Sequence, residues 1–150
     1  MKKVRIISAS FRPDSNSHAL CEEVAIKGFV ECFEGATLAG SVLADGIEEL
    51  FASDVHYIES WGPEYHGLKA IKRWFADWNA KGKVLEWQID RFFHSGDETV
   101  ATWHFRWQMN GEEPDTLDGA TLVRWSPNNR ISFVQEFGCT THRYEPQATI

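Results

Sequence analysis

Two glutamates and a tyrosine have the side chains best suited to acid/base chemistry in this sequence. Tyr57 and Glu59 share one face of a stretch with strand-like alternation, and Glu136 lies in another such stretch near the C-terminus. A carboxyl group against apolar walls has a raised pKa and can transfer protons near neutral pH. Structural roles are also open: Glu59 as a solvated carboxylate at a strand end, and Glu136 in a cross-strand ion pair with Arg124 or Arg106.

Histidine and cysteine spacing gives no sign of a metal or thiol site. The six histidines show neither HxH nor HExxH spacing, so we predict no metal ligands. His66 precedes Gly67 in a loop from which it could reach a pocket mouth, and His104 could take a surface, dimer-face or pocket role. The three cysteines lack paired spacing, which indicates free thiols in a reducing cytosol.

Composition narrows the class of protein. A chain of 150 residues with 43% apolar residues, seven Trp and ten Phe predicts one domain with a well-filled core. Trp61, Trp74 and Trp103 are the tryptophans that we expect to line a pocket for a flat apolar ligand, although core packing would explain each one. The net charge of −7 disfavours nucleic acid and anionic membranes as partners. No segment resembles a signal peptide or a membrane span, and we expect a soluble, cytoplasmic protein.

The elements that must position these residues follow from apolar spacing and turn residues. Helical spacing predicts three helices, at about residues 17–33, 41–51 and 68–78. A short strand is predicted at 55–60, between the second and third helices. Four longer strands joined by short turns are predicted at 83–94, 98–109, 115–125 and 130–139. Helices followed by an antiparallel meander indicate an α+β fold, with the helices packed on one face of the sheet.

Four separated segments resemble motifs of the NTF2-like superfamily, in its SnoaL-like (cystatin-like α+β) form. LFASDVHYIES resembles its helix-to-strand junction, GLKAIKRWF its third helix, SGDETVATWHF a hairpin and NNRISFVQEF the final strand. The resemblance covers about residues 17–144 and implies a cone, with three helices packed on a strongly curved antiparallel sheet around a pocket. We therefore divide the chain into an N-terminal extension, residues 1–16, and an NTF2-like domain, residues 17–150. The resemblance also implies a homodimer formed through the outer sheet face.

The same resemblance implies roles for individual residues. Glu59 matches the general-base Asp of the ketosteroid isomerase branch, with Tyr57 orienting, and Glu136 matches the acid/base Asp of SnoaL-type cyclases. Thr121 stands where the isomerases place a protonated Asp, and a Thr hydroxyl can donate a hydrogen bond but cannot replace that acid. The implied function is binding of an apolar, ring-containing small molecule, with metal-free acid/base isomerisation, cyclisation or (de)hydration as the hypothesised chemistry. The alternative is a non-catalytic ligand-binding or dimerisation module, because this fold hosts both.

The N-terminus carries a second resemblance. MKKVRIISASFRPDSNSHALCEEV is similar to the opening strand, phosphate loop and first helix of flavodoxin-like NADPH-dependent FMN reductases. At a helix N-terminus, the side chains that would then lie around a flavin phosphate are those of Ser8, Ser10, Arg12, Ser15, Asn16 and Ser17. A doubly wound domain needs several further βα units, and the sequence after about residue 33 follows the NTF2-like pattern instead. We expect no cofactor and keep an FMN-associated protein as the second alternative.

Overall fold

The computed structural model describes Ile26 and residues 44–146. Within this part of the chain there are two helices, α1 (Ala44–Leu50) and α2 (Leu68–Lys81). The strands are β1 (Phe51–Ile58), β2 (Glu64–His66), β3 (Gly82–Ser95), β4 (Glu98–Met109), β5 (Asp115–Trp125) and β6 (Ile131–Thr140). The extension at 1–16 and the helix predicted at 17–33 lie outside the described residues, except for Ile26, which is helical and buried. Neither described helix has the length and apolarity that a membrane span requires.

All six strands form one sheet in the order β2-β1-β6-β5-β4-β3. The α+β class and the antiparallel meander from β3 to β6 are confirmed. The sheet is not wholly antiparallel as predicted, because β1 runs parallel to β6. Strand β1 is distant from β6 in sequence and pairs with the edge of β6 that the meander leaves free. No hairpin turn joins the two strands, so they can run in the same direction. Of the three helices predicted, the described residues contain two.

The junction between α1 and β1 differs from the prediction. Helix α1 ends at Leu50, and Phe51 already belongs to the strand, four residues before the predicted start at 55. Phe51 is completely buried and is paired with Ile131 of β6. Its side chain therefore packs in the core from an extended backbone. The apolar spacing at 41–51 predicts a helix that includes Phe51, but at this residue pairing with β6 overrides that local preference.

Bending of the long strands lets the sheet enclose the helix. The pairing of β3 with β4 shifts register between Val84 and Glu86 and again between Ile89 and Arg91. Such bulges bend a strand and increase its twist, and so curve the sheet. Helix α2 lies against β1, β2 and β3 and buries Ile71 and Phe75, one turn apart on a single face.

Helix α2 begins at a tight backbone turn. Gly67 precedes it with a φ of 80°, a conformation that residues with a Cβ rarely adopt. The Gly67 amide donates a hydrogen bond of 2.7 Å to the carbonyl of Val55 in β1. This bond ties the start of α2 to the strand that leads to Glu59, so helix and strand form one wall.

Candidate active site

The parallel pairing of β1 and β6 brings the two glutamates together. Ile58, the last residue of β1, is aligned with Gln135 of β6. The next residues along the chain, Glu59 just after the end of β1 and Glu136 within β6, therefore lie side by side and line one cavity. The carboxylates that the resemblance assigns to two different enzyme branches thus share a site in this chain.

Each glutamate accepts a hydrogen bond from its own tyrosine. The hydroxyl of Tyr57, which is completely buried, donates to Oε1 of Glu136. The hydroxyl of Tyr65 donates to Oε1 of Glu59 at 2.5 Å. Tyr57, the tyrosine expected to orient a catalytic carboxyl group, therefore contacts Glu136, and Tyr65 makes the equivalent contact with Glu59. Sequence reasoning missed Tyr65 because it lies in β2, a three-residue strand within a stretch that reads as a loop.

Burial controls the protonation of Glu136. Desolvation of its carboxyl group raises its pKa to about 7, and the charge of Glu59 acts in the same direction. The hydrogen bonds from the Tyr57 hydroxyl and the Ser60 backbone amide oppose this rise. Arg124, one of the two arginines considered as an ion-pair partner of Glu136, instead pairs with Glu98 at 2.7 Å. Glu136 consequently exchanges its proton near neutral pH.

Glu59 has a more polar environment. Only 5% of its surface is exposed, and burial raises its pKa. Hydrogen bonds from Tyr65, Trp74 and Trp61 oppose that rise by favouring the charged form. Two carboxyl groups whose surroundings differ in this way can divide the acid and base roles between them. Because their charges interact, the two groups titrate as a pair.

The walls of the cavity are almost wholly aromatic. Besides the glutamates they consist of Trp61, Trp74, Trp78, Trp87, Trp103, Phe105 and Leu117. The inner chamber has a volume of about 30 Å³, enough for roughly one water molecule. It adjoins an open basin of about 740 Å³ that shares Glu59, Trp61 and Trp74 with it. All three tryptophans predicted to line a pocket do so, and Trp61, 60% exposed, lies at the mouth.

The remaining predicted residues lie outside this cavity lining. Oγ1 of Thr121 accepts a hydrogen bond of 2.8 Å from Nε1 of Trp103 and so holds this wall residue in place, and Thr121 lies directly opposite Glu136 in the pairing of β5 with β6. His66 lies on β2 with an exposed ring stacked on His56. His104 pairs with Asp118 at 2.7 Å and is partly exposed.

A curved six-stranded sheet with a helix packed against it and a cavity between them is the architecture of the NTF2-like class of α+β proteins. The family model of the SnoaL-like domain matches residues 26–134, and the chain belongs to this family. A comparison with curated protein sequences gives no significant match.

The residues on which the FMN hypothesis rests, 8–17, lie outside the described part of the chain.

Solved structures show the same fold at low sequence identity. An NTF2-like protein of unknown function from Exiguobacterium sp. 255-15 is 17% identical over 78% of this chain and 99% of its own, with a TM-score of 0.67. A ketosteroid isomerase-like protein from Catenulispora acidiphila, solved with trimethylamine, is 22% identical over 75% and 85%, with a TM-score of 0.60. An LEH-like epoxide hydrolase from M. tuberculosis is 15% identical over 77% and 82%, with a TM-score of 0.60.

Proposed function

We propose that this protein binds a small, apolar, ring-containing molecule in the open basin, with its reacting end at the inner aromatic chamber, and transfers protons to and from it with Glu136 and Glu59. The observation that carries the proposal is the meeting of two tyrosine-bonded carboxyl groups in one aromatic cavity, with the pKa of Glu136 at about 7. General acid/base catalysis is most efficient when the catalytic pKa lies near the working pH. The two carboxyl groups can supply that chemistry themselves.

The surroundings of the two carboxyl groups suggest how they divide the work. Glu136, whose pKa is raised to about 7 by desolvation of its carboxyl group, carries the proton and acts as the general acid. Glu59 receives three hydrogen bonds that favour its ionised form, and it acts as the general base. Removal of a proton by one group and delivery by the other would isomerise, cyclise or dehydrate a ring-containing substrate. The aromatic walls exclude bulk water, which strengthens the electrostatic interaction of each carboxyl group with a bound substrate.

Hydrogen exchange on a simple ketone tests the proposal without knowledge of the natural substrate. The probe is 2-tetralone, a flat two-ring ketone with acidic α-protons, incubated with the protein in D₂O and followed by ¹H NMR. Its binding is checked by the fluorescence of the cavity tryptophans. We expect faster exchange with the wild type than with buffer, and a loss on the order of 100-fold in Glu136→Gln, which is typical of a removed proton-transfer group.

A matched control separates catalysis from charge. Glu112 lies in an exposed turn after β4 and lines neither the chamber nor the basin, so Glu112→Gln removes one carboxylate outside the site and should exchange like the wild type. The double variant Glu59→Gln/Glu136→Gln should exchange no faster than buffer. Equal exchange by the double variant and the wild type would remove both glutamates from the mechanism.

A second candidate function is binding of a small organic amine without turnover. Indole rings attract cations, and the cavity combines five tryptophans with two carboxyl groups. The structural neighbour from Catenulispora acidiphila was solved in complex with trimethylamine. Quenching of tryptophan fluorescence by trimethylammonium, together with no exchange of 2-tetralone, would favour this binding function over the catalytic one.

A further inference from the structure

Three polar side chains form a cluster on the two edge strands, β1 and β2. His56 of β1 lies directly opposite His66 of β2, and their rings are stacked with centroids 4.2 Å apart. Oε2 of Glu64 lies 2.9 Å from Nε2 of His56, and Oε1 lies 3.8 Å from Nε2 of His66. One ligand atom from each of the three residues lies within 4.8 Å of the others. None of the three lines the aromatic cavity.

We propose that His56, Glu64 and His66 bind a divalent transition-metal ion, with Zn²⁺ as the best match. Two imidazoles and one carboxylate form a known zinc ligand set, with bonds of about 2.0–2.2 Å that place tetrahedral ligands roughly 3.4 Å apart. The two measured separations to Glu64 lie on either side of that spacing, so small side-chain rotations suffice. All three residues are at least partly exposed, and water can supply the fourth ligand.

The ligand set also determines which ions are rejected. Imidazole nitrogen suits Zn²⁺, Ni²⁺ and Cu²⁺, whereas Mg²⁺ and Ca²⁺ prefer sites built from oxygen. The cluster therefore favours borderline and soft ions over the hard ions that are abundant in cells.

Metal binding at this cluster would stabilise the position of Tyr65, which contacts the acid/base site from the neighbouring strand face. Strand β2 has only three residues, two of which are the proposed ligands. The residue between them, Tyr65, points to the other face of the strand and donates its hydroxyl to Glu59. An ion that joins β2 to β1 would fix Tyr65 and the carboxylate that it orients. The metal site stands on its own ligands and does not depend on the proposed catalysis.

Calorimetric titration of the full chain with ZnCl₂ tests the proposal, with circular dichroism to confirm that each variant is folded. We expect the wild type to bind, and His66→Ala or Glu64→Gln to weaken binding more than tenfold, since even outer partners of a metal site contribute roughly 10–100-fold. His104→Ala and Cys139→Ser should bind like the wild type, because both residues lie outside the cluster. MgCl₂ should give no heat of binding.

Thermal unfolding supplies a second readout. At Zn²⁺ concentrations about 100-fold above its dissociation constant, we expect the wild-type Tm to rise by roughly 5–10 °C, and the Tm of His66→Ala to rise by less than half as much. Equal zinc affinity in the wild type, His66→Ala and Glu64→Gln would overturn the proposal. A wild-type dissociation constant weaker than millimolar would overturn it as well.

Discussion

Replacement of Glu136 by Gln should change how the stability of the protein depends on pH. The carboxyl group has a pKa of about 7 in the folded protein and an ordinary value of 4.5. Between these two values the folded state holds a proton that the unfolded state has released. The free energy of unfolding of the wild type therefore falls as the pH rises through this window, and the contribution is constant above it. The amide in Glu136→Gln cannot ionise, so the variant lacks this loss.

The size of the effect follows from the same two values. Each pH unit between them corresponds to about 1.4 kcal/mol, which gives an upper limit of about 3 kcal/mol for the loss on going from acid to mildly alkaline pH. The amide oxygen of the introduced Gln can still accept the hydrogen bond from Tyr57, and the side chain keeps its volume. The variant should therefore match the wild type at the acid end of the range and be the more stable protein at the alkaline end.

Urea unfolding followed by tryptophan fluorescence, at pH steps from about 4.5 to about 8, measures this difference across the window in which the carboxyl group titrates. Taking the difference between variant and wild type cancels the titration of other groups that both proteins share. Glu112→Gln, at an exposed turn, removes one carboxylate outside the cavity and is the matched control for the change of net charge. A Glu136→Gln difference that stays constant across the range would refute the raised pKa and, with it, the neutral-pH acid.

Three further predictions concern the surroundings of the site. Tyr65→Phe removes a hydrogen bond that favours ionised Glu59, so the acid limb of the pH profile of 2-tetralone exchange should move to higher pH. Gly119→Ala would place a Cβ close against the Trp103 ring, and we expect urea unfolding to show a loss of about 1–3 kcal/mol from overpacking. We propose that the chain is a homodimer through the outer sheet face; Phe137, 51% exposed, lies on the side of β6 opposite Glu136, and Phe137→Asp should give monomers in light scattering.

The meander could be predicted closely from the sequence. Strands β4 and β5 have the predicted bounds, and β3 and β6 differ by one residue at each end. Alternation of large apolar residues marks the strands, and Gly96 and Gly111, both with positive φ, mark the turns. These are local signals, and each can be read without knowledge of the rest of the fold.

The parts that could not be predicted depend on contacts between distant segments. Strand β2 is too short to show alternation, so Tyr65 gave no sign of its bond to Glu59. The meeting of His56 with His66 results from strand pairing across a loop, not from a spacing that a metal motif would recognise. The pairing of Glu59 with Glu136 likewise required the parallel register of β1 and β6, which periodicity along either strand does not reveal.

Direct titration of the Glu136 carboxyl group tests the central claim, that a neutral-pH proton donor lies in the aromatic cavity. Glutamate labelled with ¹³C at the side-chain carboxyl gives an NMR signal whose shift follows ionisation, and the signal missing from Glu136→Gln identifies the residue. We predict a midpoint at about 7, coupled to a second titration from Glu59. A single midpoint for Glu136 near its ordinary value of 4.5 would contradict the account.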